Sequence, residues 1–194
     1  MQEIKKGLII FLLLTVLTGL IYPLFITGIA QLICSSKANG SLITKNGHVV
    51  GSNLIGQMFS KPEYFYSRPS RVDYKGSISG ASNSGPTSRK FLQETQKQIN
   101  KVREENKLQD DLPLPADLVL SSGSGLDPHI SKEAAILQAP RVAKARNISL
   151  ETVQKLIHKN TEPPEFKIFG QPRVNVLGLN LDLDNHLSPK EQHL

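Results

Sequence analysis

Polar and apolar residues are unevenly distributed along the 194-residue chain. Residues 7–36 include no charged residue, and Leu, Ile, Val and Phe dominate them. As a helix, residues 8–33 are roughly 39 Å long at ~1.5 Å per residue. That exceeds the ~30 Å hydrocarbon core of a bilayer and predicts a tilted spanning helix. Apolar residues on every face over this length do not suit a helix inside a soluble core. Pro23 removes one backbone donor and predicts a kink near Tyr22-Pro23. Thr15, Gly19, Pro23 and Thr27 recur every four residues. Such a small-residue stripe lets a second membrane helix approach, which makes Thr15 and Gly19 candidate partner contacts.

Beyond this segment the pattern is mixed. Asn39-Gly40 and Asn46-Gly47 predict turns, and residues 48–55 a short strand pair or an irregular extended segment. Pro62 and Pro69 forbid one helix through residues 61–70. In an extended segment Tyr64, Phe65 and Tyr66 point to both faces, so some are core and at least one is a surface or interface contact. Residues 76–88, rich in Gly, Ser and Asn, form a long loop that is either functional or disordered. Thr87 or Ser88 caps a helix with the stripe Phe91, Leu92, Thr95, Ile99 and Val102, ending near Asn106. Residues 118–120 read as a short buried strand. Ser131 caps a helix from Lys132 that Pro140 should bend and Asn147 ends; Ser149 caps another over residues 150–158.

The clearest strands are expected at residues 166–169 and 174–183. In the latter the apolar phase switches at Leu177-Gly178, which predicts a β-bulge and leaves Asn180, Asp182 and Asp184 facing solvent. The tail from about residue 185 is polar and expected to fray. The fold class is therefore α+β: a transmembrane anchor helix within residues 1–36, then a single mixed α/β soluble domain over residues 37–194.

Two other readings of the apolar segment fit less well. A cleavable signal would use Lys5 and Lys6 as its basic start and Gly28-Ile29-Ala30 as its cleavage site, but a signal core is ~7–15 residues and this run is about twice that. A lipoprotein signal ending at Cys34 would want a small residue where Ile33 stands. Lys5 and Lys6 precede the segment and Lys37 follows it, a bias that favours a cytoplasmic N-terminus and a domain outside the cytoplasmic membrane.

Net charge is +6, but basic and acidic residues are interspersed without a dense basic block, which argues against nucleic acid. Cys34 is the only cysteine, so no intrachain disulfide is possible. With one Cys and five scattered His, a metal site has little support.

Candidate chemistry is sparse. A strand, a Gly-Ser-Gly turn and a helix start over residues 118–131 invite a phosphate-site reading. There is no Gly-Lys-Ser/Thr, however, and Gly123-x-Gly125-x-x-Pro128 lacks the third glycine of the dinucleotide fingerprint. No Gly-x-Ser-x-Gly nucleophile elbow is present there. Asp127 and His129 could form a metal or acid–base pair, but a third partner is missing. Alternatively, Asp127 bonds loop amides and His129 packs near the helix start. Arg141 and Arg146, on a partly apolar helix, are placed to pin carboxylates or loop carbonyls. Without a recognisable catalytic set, an accessory or structural subunit is favoured over an enzyme. The alternatives are a membrane-anchored envelope hydrolase using Asp127 and His129, or a general envelope binding module.

Five blocks carry a more specific signal: Gln57-x-Phe59 with Tyr64-Phe65-x-x-Arg68-Pro69-Ser70; Gly80-Ala81-Ser82-Asn83-Ser84-Gly85-Pro86; Ser122-Gly123-Ser124-Gly125-Leu126-Asp127-Pro128-His129-Ile130-Ser131; Gln138-x-x-Arg141-Val142-Ala143-x-Ala145-Arg146; and Gly170-x-Pro172-x-Val174-Asn175-Val176-Leu177-x-Leu179-Asn180. In this order, behind an N-terminal anchor, they resemble the C subunit of the bacterial Kdp potassium-transporting P-type ATPase. The resemblance implies an inner-membrane complex with a channel-like potassium-binding subunit and an ATP-hydrolysing pump subunit. It implies a role in assembling or stabilising that complex, and as a catalytic chaperone that raises ATP affinity of the pump subunit. It also implies nucleotide contact, for which Ser122, Gly123, Ser124 and Gly125, with Asp127 and His129 beside them, are the local candidates. Tyr64, Phe65, Arg68 and Arg141 are candidate partner contacts. Topology pulls the other way, because ATP is cytoplasmic and the flanking charges put the domain outside.

Overall fold

The structure, a computed structural model, describes residues 1–187. The chain divides into two units, residues 1–50 and the residues from Gly51 onward.

In the first unit, helix α1 (Gln2–Val16), a wide turn (Leu17–Ile21) and helix α2 (Tyr22–Ala38) run on as one 37-residue span, long and apolar enough to cross a membrane. The Tyr22 N–H donates to the Leu17 carbonyl, five residues back, which defines a π-turn. This is where the irregularity expected at Pro23 lies. Pro23 has no N–H to give to the Gly19 carbonyl, and the turn just before it widens. A second interruption, not foreseen, falls at Cys34, whose φ of −144° and ψ of 48° are non-helical. Thr15 and Thr18 satisfy their hydroxyls internally, donating to the Phe11 and Leu14 carbonyls at 2.8 and 2.7 Å. Strands β1 (Leu42–Lys45) and β2 (His48–Ser52) then form a hairpin. Its two-residue turn has positive φ at both Asn46 and Gly47, the conformation Asn-Gly favours.

The second unit contains α3 (Arg89–Asn106), α4 (Ala116–Val119), β3 (His129–Ser131), α5 (Lys132–Arg146), α6 (Leu150–Lys159), β4 (Thr161–Glu162), β5 (Arg173–Asn175) and α7 (Val176–Leu187). The strands make an antiparallel sheet in the order β3-β5-β4, with Ile130 and Thr161 both opposite Val174. Helix α5 lies at the centre, packed against α3, α6, β3 and β5. It buries Ala134, Ala135, Ala139, Val142 and Ala143, and these small side chains let its neighbours approach closely. Phe65, Val153, Ile157, Val174, Val176, Leu179 and Leu183 complete the core. Ser88, Ser131 and Ser149 cap α3, α5 and α6, each accepting from the amide three residues on. Lys107 and Asn147 end α3 and α5 in the left-handed conformation.

Several expected strands are not strands. Residues 116–119 form one helical turn behind Pro115, where 118–120 reads as extended. Residues 166–169 form a tight loop closed by reciprocal Glu165–Phe169 backbone hydrogen bonds of 2.9 Å. Only Arg173–Asn175 of the stretch 174–183 belongs to a strand; the rest is α7. The Asn175 side chain accepts the Gly178 amide at 3.0 Å and caps that helix, so there is no bulge. Val176, Leu179, Asn180 and Leu183, spaced by three and four, share the buried face. Asn180 is therefore 1% exposed instead of solvated. In α3 only Val102 is fully buried, and Leu92 faces out. The expected tail fraying beyond Leu187 falls outside the described residues.

Candidate functional site

The five sequence blocks converge on one arrangement. The aromatic segment 62–66 is threaded among helices and has no strand partner, so its peptide groups need another source of hydrogen bonds. Side chains supply them. Asn180 Oδ1 accepts the Phe65 amide at 2.9 Å, while Asn180 Nδ2 donates to the Phe65 carbonyl at 3.0 Å. Gln138 does the same for Tyr66, accepting its amide at 2.8 Å and donating to its carbonyl at 3.3 Å. A primary amide presents a donor and an acceptor side by side and mimics a neighbouring strand. Arg141 donates to the Pro62 and Tyr64 carbonyls at 2.6 and 2.9 Å, and Arg146 to that of Glu63 at 2.6 Å. Five successive carbonyls, residues 62–66, thus all accept from side chains of α5 and α7.

The two guanidinium groups do further work. Arg141 lies 4.0 Å from the Tyr66 ring centroid and Arg146 4.8 Å from that of Tyr64. Arg146 also pairs with Asp184 at 2.8 Å. Phe65 is wholly buried, whereas Tyr64 and Tyr66 are half-buried, the two-faced disposition that three consecutive aromatics require. The guanidinium pinning expected of Arg141 and Arg146 is what the structure contains. The roles of Gln138 and Asn180 escape the sequence reading, and their signal is helical spacing, on α5 for Gln138 and on α7 for Asn180.

The glycine-rich blocks brace one another. Ser122 Oγ is buried and accepts the Gly125 amide at 2.9 Å; Ser124 Oγ accepts the Leu126 amide at 3.1 Å. The Ser124 carbonyl takes the Gly80 amide at 2.8 Å, and the Gly125 carbonyl the Ser70 hydroxyl at 2.7 Å. Gly125 has a φ of +70°, and a Cβ there would stand 2.8 Å from the Gly80 carbonyl oxygen. A Cβ on Gly56 would stand 2.6 Å from the Asp127 carbonyl oxygen. Gly123 and Ser124 form the exposed tip of the loop.

Arg68, Asp127 and His129 line an open cleft of about 910 Å³, whose walls include Pro113, Pro115, Asp117, Glu133, Pro172 and Arg173. Ser122–Gly125 does not line it. Arg68 donates to Asp127 Oδ2 at 3.0 Å, and the His129 amide to Asp127 Oδ1 at 3.0 Å. The His129 ring stands 3.6 Å from Asp127 and 3.7 Å from Glu162. Burial pushes the Asp127 carboxyl up, but the His129 and Arg68 hydrogen bonds together outweigh it and hold the group below its ordinary range. Burial also pushes the nearby Tyr74 hydroxyl, which donates to the Arg68 carbonyl, up to about 12.

Two amides of the loop are not available to a phosphate. The Gly125 and Leu126 amides are already satisfied, and the cleft sets Arg68 and Arg173 against Asp117, Asp127 and Glu133. Among the described residues no group of three or more His, Cys, Asp or Glu is placed to hold a metal ion. Asp127 both takes the His129 amide, as a loop-bracing carboxylate does, and pairs with Arg68. His129 sits at the start of the strand leading into α5. Thr15 and Gly19 lie in the apolar span.

The family profile described as "K+-transporting ATPase, c chain" (KdpC) matches residues 4–185. The chain is 47% identical over 190 residues to the potassium-transporting ATPase KdpC subunit of Polynucleobacter asymbioticus, a match covering 96% of this chain and all of that one. It is 48% identical over 182 residues to the KdpC subunit of Caldanaerobacter subterraneus subsp. tengcongensis, over 94% of both chains. With that of Mycobacterium bovis the identity is 45% over 185 residues, covering 94% of this chain and 98% of the relative. The matched residues include the apolar span, the aromatic segment and both of the helices that clamp it, and the chain belongs to the KdpC family, the c chain of K+-transporting ATPases.

Proposed function

We propose that this chain is a non-catalytic accessory subunit of an ATP-driven potassium uptake complex. The span Gln2–Ala38 holds it in the membrane beside a channel-like potassium-binding subunit and an ATP-hydrolysing pump subunit. The observation that carries this reading is the near full-length match to proteins named as potassium-transporting ATPase KdpC subunits. Lys5 and Lys6 ahead of the span favour a cytoplasmic N-terminus and a domain on the outer face. The clamped aromatic segment supports a scaffolding role, since its arginines and amides are committed to holding the fold. Residues 37–194 carry a net charge of +5, which does not gather potassium, so the domain serves assembly and not ion capture.

The finer role follows the same logic. The subunit stabilises the complex and raises the pump subunit's affinity for ATP indirectly, without contacting nucleotide through Ser122–Gly125. Complexes purified with and without this chain test the reading through their apparent KM for potassium-stimulated ATP hydrolysis. The expected result is a higher KM and a less stable complex when the chain is missing. An unchanged KM together with an intact complex contradicts the proposal, and crosslinking of a photoreactive ATP analogue to this chain contradicts the indirect role.

A further inference from the structure

The loop between β4 and β5 is anomalous for a folded domain. Its sequence is Pro163-Pro164-Glu165-Phe166-Lys167-Ile168-Phe169-Gly170. Phe166 is 87% exposed, Ile168 77% and Phe169 66%, three large apolar side chains within four residues. Single exposed apolar residues are ordinary, but a contiguous apolar tip marks a surface that something covers. The tip is also built. Lys167 N–H donates to the Pro164 carbonyl, Ile168 N–H to that of Glu165, and Glu165 and Phe169 exchange both of their backbone hydrogen bonds. Glu165 is held outside the tip by Arg173 at 2.9 Å.

We propose that this loop is a lipid-interface anchor, inserting Phe166, Ile168 and Phe169 among the headgroups and upper acyl chains of the bilayer that the chain itself spans. Three observations select lipid as the occupant. The loop satisfies much of its backbone internally, which is what entry into a region without water demands. Its composition, aromatic and aliphatic side chains around one lysine, suits a tip whose cation stays at the headgroups while its neighbours go deeper. Finally, the span ends at Ala38 and the domain's unit starts at Gly51, so the twelve residues between them hold the start of the domain within at most about 45 Å of the end of the span. A tether of that length gives the bilayer a high effective concentration on whichever side the domain lies. The net charge of +5 on residues 37–194 adds attraction to anionic headgroups.

The inference rests on membrane anchoring and not on the transport role. The chain contains no Trp, so Phe169→Trp or Ile168→Trp in the full chain supplies a single reporter. The protein is reconstituted without other subunits into vesicles of phosphatidylethanolamine and phosphatidylglycerol, part of them brominated on the acyl chains. Retention after an alkaline wash reports the anchor separately. The expected result is blue-shifted emission from either variant, quenched more by bromine near the top of the chain than near its end, while Gln154→Trp on the exposed face of α6 emits as in water. Water-like, unquenched emission from retained protein overturns the proposal. So does a blue shift that arises only when the other subunits are added, which assigns the tip to protein contact.

Discussion

At the scale of single residues, the domain depends on polar side chains that stand in for a missing strand. Phe65 is fully buried and Asn180 satisfies both of its peptide groups, so Asn180→Leu leaves a donor and an acceptor without partners. The expected cost is about 2–4 kcal/mol, read as a lower midpoint in urea unfolding of the detergent-solubilised chain. A loss below about 0.5 kcal/mol contradicts the clamp. Asp127 makes a second prediction. Its folded-state pKa lies below the ordinary value, so protonation favours the unfolded chain. Its contribution is complete above the ordinary carboxylate range and is lost as pH falls through the lower folded-state value. Asp127→Asn is expected to flatten the acid side of the stability profile and leave its alkaline side unchanged.

Elements whose signals are local were legible in the sequence. The three serine caps act within three residues of themselves, and the Asn46-Gly47 turn sets the hairpin by its own backbone preference. The apolar span shows by length alone. Helix α7 was not legible, because Leu177, Leu179, Leu181 and Leu183 alternate with non-leucine residues and imitate a strand. The true face combines Val176, Leu179 and Leu183 with the polar Asn180, whose burial is justified only by Phe65, 115 positions away. The Arg68–Asp127 pair, 59 positions apart, was hidden for the same reason. Gly178 separates the two readings experimentally. A Cβ there meets nothing closer than 3.6 Å, and alanine is the better helix former. Gly178→Ala is expected to stabilise the domain by up to about 1 kcal/mol in thermal or urea unfolding; destabilisation contradicts the helix.

For the whole molecule, the proposed role joins the apolar span to a domain that does no chemistry of its own. The proposed sidedness is read from the flanking lysines. With Cys34 replaced by Ser and a cysteine placed by Ser124→Cys at the exposed loop tip, a membrane-impermeant thiol reagent is expected to label intact spheroplasts. Protection until lysis would reverse the orientation and reopen nucleotide contact at that loop. The most direct test of the central claim is co-purification from membranes, with the full chain carrying an affinity tag and a second version lacking residues 1–38. The account predicts that the full chain brings down a potassium-binding subunit and an ATP-hydrolysing subunit with potassium-stimulated ATPase activity, and that the shortened chain recovers far less of both. Recovery of the full chain alone, as a soluble protein free of both subunits, contradicts it.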